Sequence, residues 1–233
     1  MMKNRLMKIY QILYEAYGPQ DWWPGESTFE VMVGAILTQN TSWKNVEKSI
    51  GRLKERGVLS PAGICGLNKT ELAPLLRSSG YFHIKTDRLK AFVNFLFDGF
   101  GGDLLKMQRA PLKELREKLL SVKGIGPETA DSILLYGLGK PIFVIDAYTR
   151  RILFRHGMIS EKASYEEVQN LFMENLPRNE KLFNEYHALL VHLGKWVCKK
   201  VPKCDICSLN GIAHSASREN KIKRAIKKKN WYP

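Results

Sequence analysis

The sequence predicts an all-α protein, and three observations carry that prediction. Apolar residues recur at helical spacing in segment after segment, with Gly or Pro between the segments. A tight Gly124-Ile125-Gly126 hairpin stands between two such segments, and Pro127 suits the first position of the second. A run of large apolar residues, Ile142 to Ile145, ends directly on a carboxylate, Asp146.

Each element follows from its residues. Over residues 3–17, Leu6, Ile9, Ile12, Leu13 and Ala16 form one apolar stripe, which Gly18-Pro19 stops. In Asp21-Trp22-Trp23-Pro24, adjacent tryptophans cannot both face one core from a regular helix. One is expected to cover the core; the other offers an aromatic wall that attracts flat, cationic rings. Phe29 to Leu37 is predicted as a buried helix in which Gly34 and Ala35 permit close packing. Thr38-Gln39-Asn40-Thr41 interrupts it, and on its own reads as helix-end capping. Trp43 then precedes a helix through Val46, Ile50 and Leu53. Short helices are expected over 58–80, with Cys65 a buried apolar residue. Gly80 to Lys85 leads into a helix predicted over Leu89–Phe97, where Lys85, Arg88 and Lys90 are expected to touch phosphate or coat the surface.

Leu112, Leu115, Leu119 and Leu120 run in helical register up to the hairpin. Gly124 and Gly126 there allow positive φ and a close approach of another chain. The free N–H groups of the next helix start, with the helix dipole behind them, suit a phosphate. That helix continues through Ala130, Ile133 and Leu134, ends at Gly137 and Gly139, and is barred from resuming by Pro141. Asp146 is then a helix N-cap or a group held for chemistry. Ser164-x-x-Glu167 is a capping box, and a last long helix is predicted from Glu180 to Val197.

Composition narrows the function. Lys and Arg number 37 against 23 Asp and Glu, a net charge of +14 over 233 residues, which favours a polyanionic partner. No apolar run approaches a membrane span and no secretory signal is evident, so a cytoplasmic, membrane-free protein is expected. The basic stretch from Ser217 on, with Lys227-Lys228-Lys229, reads as an anion-binding arm or a solubilising end. Of four cysteines, Cys198, Cys204 and Cys207 are clustered, which points to a metal site rather than disulfides.

The hairpin and the aspartate about twenty residues beyond it, taken together, resemble the helix-hairpin-helix DNA glycosylases of the endonuclease III superfamily. The resemblance implies a two-lobed helical fold with DNA between the lobes. A six-helix barrel would span 22–140, and residues 1–21 with 141–233 would form a second lobe holding the cysteine loop and basic tail. It implies a monomer acting on double-stranded DNA that contains a damaged base. By it Asp146 is catalytic, and Lys123, Gly124 and Gly126 grip the DNA backbone. Gln39, with Asn40, would fill the gap left by an extruded nucleotide, and Tyr81 would be a second wedge. The endonuclease III hairpin reads Gly-Val-Gly-Arg-Lys-Thr-Ala, and its lysine is the imine-forming group of the lyase members. Here the matching run is Gly-Ile-Gly-Pro-Glu-Thr-Ala, with Glu128 at the lysine position, so a monofunctional enzyme is expected.

Within the superfamily, Trp-Trp-Pro, Leu-Thr-Gln-Asn-Thr and Val-x-Asp-x-Tyr most resemble the bacterial 3-methyladenine DNA glycosylases of endonuclease III type. That implies a base pocket of Trp22, Trp23, Pro24, Trp43 and Glu128. The family's cluster loop spaces four cysteines x6, x2, x5 around a [4Fe-4S] cluster. Here the first gap is x5 and Ala213 stands at the fourth position, with His214 next to it as a substitute ligand. A [4Fe-4S] cluster is the expectation; a cluster with an external or absent fourth ligand, zinc and a degraded site are the alternatives. The rival functions are a bifunctional glycosylase/lyase or mismatch glycosylase, and a non-enzymatic helix-hairpin-helix DNA-binding protein.

Overall fold

The computed structural model describes residues 2–23 and 25–212, so Pro24, Ala213, His214 and the basic tail lie outside the described residues. Among the described residues the chain is helical, with no strand and no helix long and apolar enough to cross a membrane. It divides into two compact units, one from Trp23–Pro141 and one from the described parts of Met1–Trp22 and Ile142–Pro233.

The first unit is built around α2 (Thr28–Leu37), in which Phe29 to Leu37 are all buried. Ser27 caps it, its hydroxyl accepting from Glu30 N–H at 3.2 Å. Around α2 pack α3 (Trp43–Glu55), α6 (Phe82–Phe100), α9 (Pro127–Ser132) and a π-helical turn, Ile133–Gly137. The short helices α4 (Pro61–Gly66), α5 (Lys69–Leu75), α7 (Leu104–Arg109) and α8 (Leu112–Ser121) complete the unit. Gly137 lets the π turn press on α2, since a Cβ there would stand 3.0 Å from Met32 Cγ.

Three expectations need correction here. The helix expected over Leu89–Phe97 starts seven residues earlier, because Tyr81 takes a left-handed φ of +47° and turns the chain straight into α6. Lys85 therefore lies inside the helix, not on the surface. It is 1% exposed, and its ammonium donates to Leu37 O (2.8 Å) and Ser79 O (2.5 Å). Lys90 likewise turns inward to the carbonyls of Ile64, Cys65 and Leu67, the end of α4. Cys65 is exposed, because Ile64 takes the inward position of that short helix.

In the second unit α1 (Met2–Tyr17) packs on α12 (Glu180–Trp196), buried Tyr186 donating to Leu6 O at 2.8 Å. Within this unit the run Ile142–Ile145 is extended and buried, yet has no strand partner among the described residues. Its backbone is satisfied instead by side chains of α11 (Tyr165–Met173). Gln169 donates to Phe143 O at 2.7 Å, and Ile145 N–H donates to the Tyr165 hydroxyl at 3.2 Å. Phe143 stacks on Phe172 with ring centroids 3.7 Å apart. The capping box at Ser164 and Glu167 opens α11. α10 (Ala147–Arg155) completes the unit against α12, where Gly194 leaves room for Tyr148; a Cβ on Gly194 would meet Tyr148 Cβ at 2.6 Å.

Burial lowers the Lys85 pKa from 10.5 to about 8, with Arg88 adding like-charge repulsion. The unfolded chain then binds this proton more tightly than the folded one. Between about pH 8 and 10.5 deprotonation of Lys85 adds stability as pH rises. Lys85→Met should lose about 2 kcal/mol at neutral pH, by stranding two buried carbonyls. It should also lack the wild type's alkaline increment, read as the difference in urea midpoints between pH 8 and 10.

Candidate functional site

Asp146 sits where the extended run meets α10. It is the N-cap of that helix, its Oδ1 accepting from Thr149 N–H at 2.7 Å, so capping and a position suited to chemistry coincide in one residue. The residue is 9% exposed. The same oxygen lies 3.8 Å from Nε2 of His187 on α12. Burial pushes the carboxyl up. The His187 ring and the Thr149 N–H outweigh this and hold it below the usual carboxylate range. Asp146 is therefore an anion at neutral pH, kept out of water. His187 is absent from the sequence reading; its neighbours Tyr186, Leu190 and Gly194 on the inward stripe of α12 are the signal that it points to the core.

The unit of Trp23–Pro141 carries an aromatic cluster. Trp23 lies edge-on to Trp43, 5.2 Å between centroids, and stacks on Tyr136 at 4.9 Å and 27°. Gly34 makes the space: a Cβ there would be 3.2 Å from the Trp43 ring. Trp43 Nε1 is buried with no hydrogen-bond partner among the described residues. Tyr136 comes from the π turn, whose extra residue per turn no apolar spacing reveals. Trp22 ends the first segment of the other unit and is half-buried there.

The hairpin is built as the sequence suggests at one glycine and differently at the other. Gly124 has φ +87°, and a Cβ on it would stand 2.9 Å from Arg88 Cδ and Nε. Gly126 has φ −91° and open space around its missing side chain, so positive φ is required only at Gly124. Lys123 is exposed, and Ile125 between the glycines is buried. Gln39 reaches this hairpin: Nε2 donates to Gly124 O (3.2 Å) and to Thr129 Oγ1 (2.8 Å), and Oε1 accepts from Arg88 Nη1. Asn40, exposed, follows in a left-handed conformation with φ +54°. A polar recess beside them is lined by Gln39, Asn40, Arg88, Thr129 and Ser132, with Glu128 in the same wall and no lysine among the described residues. Tyr81 projects from the start of α6, 68% exposed.

In the other unit Cys198, Cys204 and Cys207 line one recess, which His156 also borders. Cys198 follows α12 directly. Arg155 Nη1 donates to its Sγ at 3.2 Å and Arg151 Nε to its carbonyl at 2.7 Å. Arg155 also ties the Lys199 and Lys200 carbonyls, so guanidinium charge frames the loop. Among the described residues no three His, Cys, Asp or Glu side chains converge on a point that could hold a single ion. A cubane takes its thiolates on separate iron atoms, and the three cysteines around this recess would supply three of its four ligands. Pro24 and His214 fall outside the described residues.

A model of the HhH-GPD superfamily base excision DNA repair protein matches residues 33–178. The protein named "Putative DNA repair glycosylase" of Methanocaldococcus jannaschii is 46% identical over 88% of this chain and 93% of its own length. The structure of H. pylori 3-methyladenine DNA glycosylase bound to 1,N6-ethenoadenine superposes with a TM-score of 0.71 at 27% identity, covering 83% of this chain and 97% of that one. A non-covalent endonuclease III–DNA complex gives a TM-score of 0.79 at 20% identity, over 96% and 99% of the two chains, which shows the shared fold.

The two hairpin glycines should respond differently to substitution. Gly124→Ala combines a strained φ with a clash on Arg88 and is expected to cost about 1–3 kcal/mol. Gly126→Ala should melt within about 0.5 kcal/mol of wild type. Thermal or urea unfolding of the two proteins compares them directly.

Proposed function

The chain belongs to the HhH-GPD superfamily of base excision DNA repair proteins. From that premise we propose that it is a monofunctional DNA glycosylase acting on alkylated purines such as 3-methyladenine in double-stranded DNA. The observation that carries the monofunctional reading is Glu128: a carboxylate stands at the lysine position, in a recess wall with no lysine among the described residues. A carboxylate cannot form an imine with the sugar, so base release proceeds with water. The aromatic cluster supports the substrate class. Methylation at N3 or N7 makes a purine cationic, and the faces of Trp23, Trp43 and Tyr136 suit a flat cation. The likeness to a 3-methyladenine glycosylase at 27% identity points the same way.

In this reading the hairpin N–H groups of Gly124 and Gly126 and the Lys123 ammonium hold backbone phosphates. Tyr81 and Gln39 enter the duplex, and the extruded base stacks on the tryptophans of the aromatic cluster, Trp23 and Trp43. The glycosidic bond breaks with its electron pair going to the base, which leaves neutral. Asp146 stabilises the cationic sugar by its charge and orients the water that adds to C1′, whose proton passes to the carboxylate or solvent. Cys198, Cys204 and Cys207 would hold a [4Fe-4S] cluster, with a fourth ligand such as His214. Bound there, the cluster supplies structural order to the basic loop carrying Lys199, Lys200 and Lys203, not hydrolytic chemistry.

Incubation with alkylated DNA should release free 3-methyladenine with strands intact before alkali, and borohydride should trap no covalent complex. Nicking of thymine-glycol DNA with trapping would replace this reading with the bifunctional one. Asp146→Asn keeps an N-cap of equal quality, so it should melt near wild type while base release falls by roughly 100-fold or more. Because Asp146 is held below the usual carboxylate range, protonation of Asp146 should cost single-turnover release only at a pH below that range. Anaerobically purified protein should contain iron and sulfide, and Cys204→Ser should remove both; iron-free, fully folded wild type would mark the site as degraded.

A further inference from the structure

Gln39 and Arg88 come from different elements of one unit and meet over the hairpin. Gln39 Oε1 takes Arg88 Nη1, and its Nε2 gives to Gly124 O and Thr129 Oγ1. A guanidinium only donates and a peptide carbonyl only accepts, whereas the Thr129 hydroxyl can do either. Arg88 and Gly124 O together therefore choose one of the two amide orientations. The flipped amide would set NH2 against guanidinium and carbonyl against carbonyl.

Arg88 is itself placed. Its stem lies across Gly124, where a Cβ would stand 2.9 Å from Cδ and Nε. The backbone beneath Gln39 is equally fixed. Lys85 holds Leu37 O, the Thr38 hydroxyl is bonded to Gly34 O at 2.6 Å, and Asn40 turns the chain at φ +54°.

We propose that Arg88 is a positioning residue for Gln39: it presets one amide orientation over the hairpin, from which Gln39 enters the space an extruded nucleotide leaves. Gly124 then serves two ends, a backbone open to phosphate and a bed for the Arg88 stem. This rests on the reading of Gln39 as the gap-filling wedge. Arg88 acts through Gln39 and not on the sugar.

The test uses the full chain and two duplexes. One carries a tetrahydrofuran abasic analogue opposite 2-aminopurine, whose fluorescence reports on wedge contact with the orphaned base. The other carries 3-methyladenine for single-turnover release. Arg88→Ala should slow release about tenfold and reduce the 2-aminopurine response, with duplex affinity and its salt slope nearly unchanged. The double variant with Gln39→Ala should be no slower than Gln39→Ala alone. Arg88→Lys, which still donates but without the planar fork, should recover part of the rate. Arg88→Met, which keeps the stem over Gly124, should behave as Arg88→Ala and so separates the donor from the packing.

An Arg88→Ala defect that persists undiminished in the Gln39→Ala background, with a salt slope smaller by about one, would overturn the proposal in favour of a phosphate contact. Faster release by Arg88→Ala would overturn it in favour of a contact that stows Gln39. If Gln39→Ala alone leaves both readouts unchanged, the wedge reading itself fails. A defective Gln39→Ala beside a normal Arg88→Ala fails the Arg88 proposal alone.

Discussion

A buried ammonium governs the unit that carries the hairpin. Lys85 is enclosed on α6, yet it makes hydrogen bonds to the last carbonyl of α2 and to Ser79 at the turn before α6. A charge this enclosed persists only when polar groups converge on it, and removing it would leave those groups bare. Several candidate site residues of this unit follow the point it fixes. Gln39 and Asn40 leave α2 two and three residues past Leu37, and Trp43 opens α3 shortly after. The interaction thus holds the chain at the point from which the polar tip over the hairpin departs.

The second unit solves a different problem, holding an anion in an apolar setting. The extended run Ile142–Ile145 is buried without a sheet to receive its backbone, and side chains of α11 take that role. It delivers Asp146 to the N-terminus of α10, where peptide N–H groups and the helix dipole favour negative charge. The Tyr148–Gly194 approach brings α12 and His187 close enough to favour the charge as well. Capping needs a side-chain acceptor at this place and the proposed catalytic role needs an ionised one, so a buried, charged Asp146 suits both.

Arginine organises the cysteine loop. Arg151 and Arg155, on consecutive turns of α10, bind the Gly194, Cys198, Lys199 and Lys200 carbonyls and the Cys198 sulfur. The loop is therefore anchored to the helix that Asp146 begins, and a cluster in it would tie its basic residues to the same anchor.

The sequence by itself determined most of the helices, the hairpin, the Ser164–Glu167 capping box and Asp146 as a candidate cap. Each rests on local chemistry: apolar spacing, a proline ring, a glycine at positive φ, a side chain reaching three residues on. It also exposed Glu128 at the lysine position, because residue identity needs no coordinates. Tertiary structure decided the rest. Lys85 and Lys90 look like surface lysines until their carbonyl partners arrive from elsewhere in the chain. Tyr136, Arg88 and His187 gain their roles from residues 49 to more than 100 positions away, or about 40 in the case of His187 and Asp146. Only Gly124 of the two glycines needs its freedom, since the Arg88 stem crosses one and not the other. Spacing along a chain encodes which face a residue takes; which partner meets that face is set by packing between elements distant in sequence.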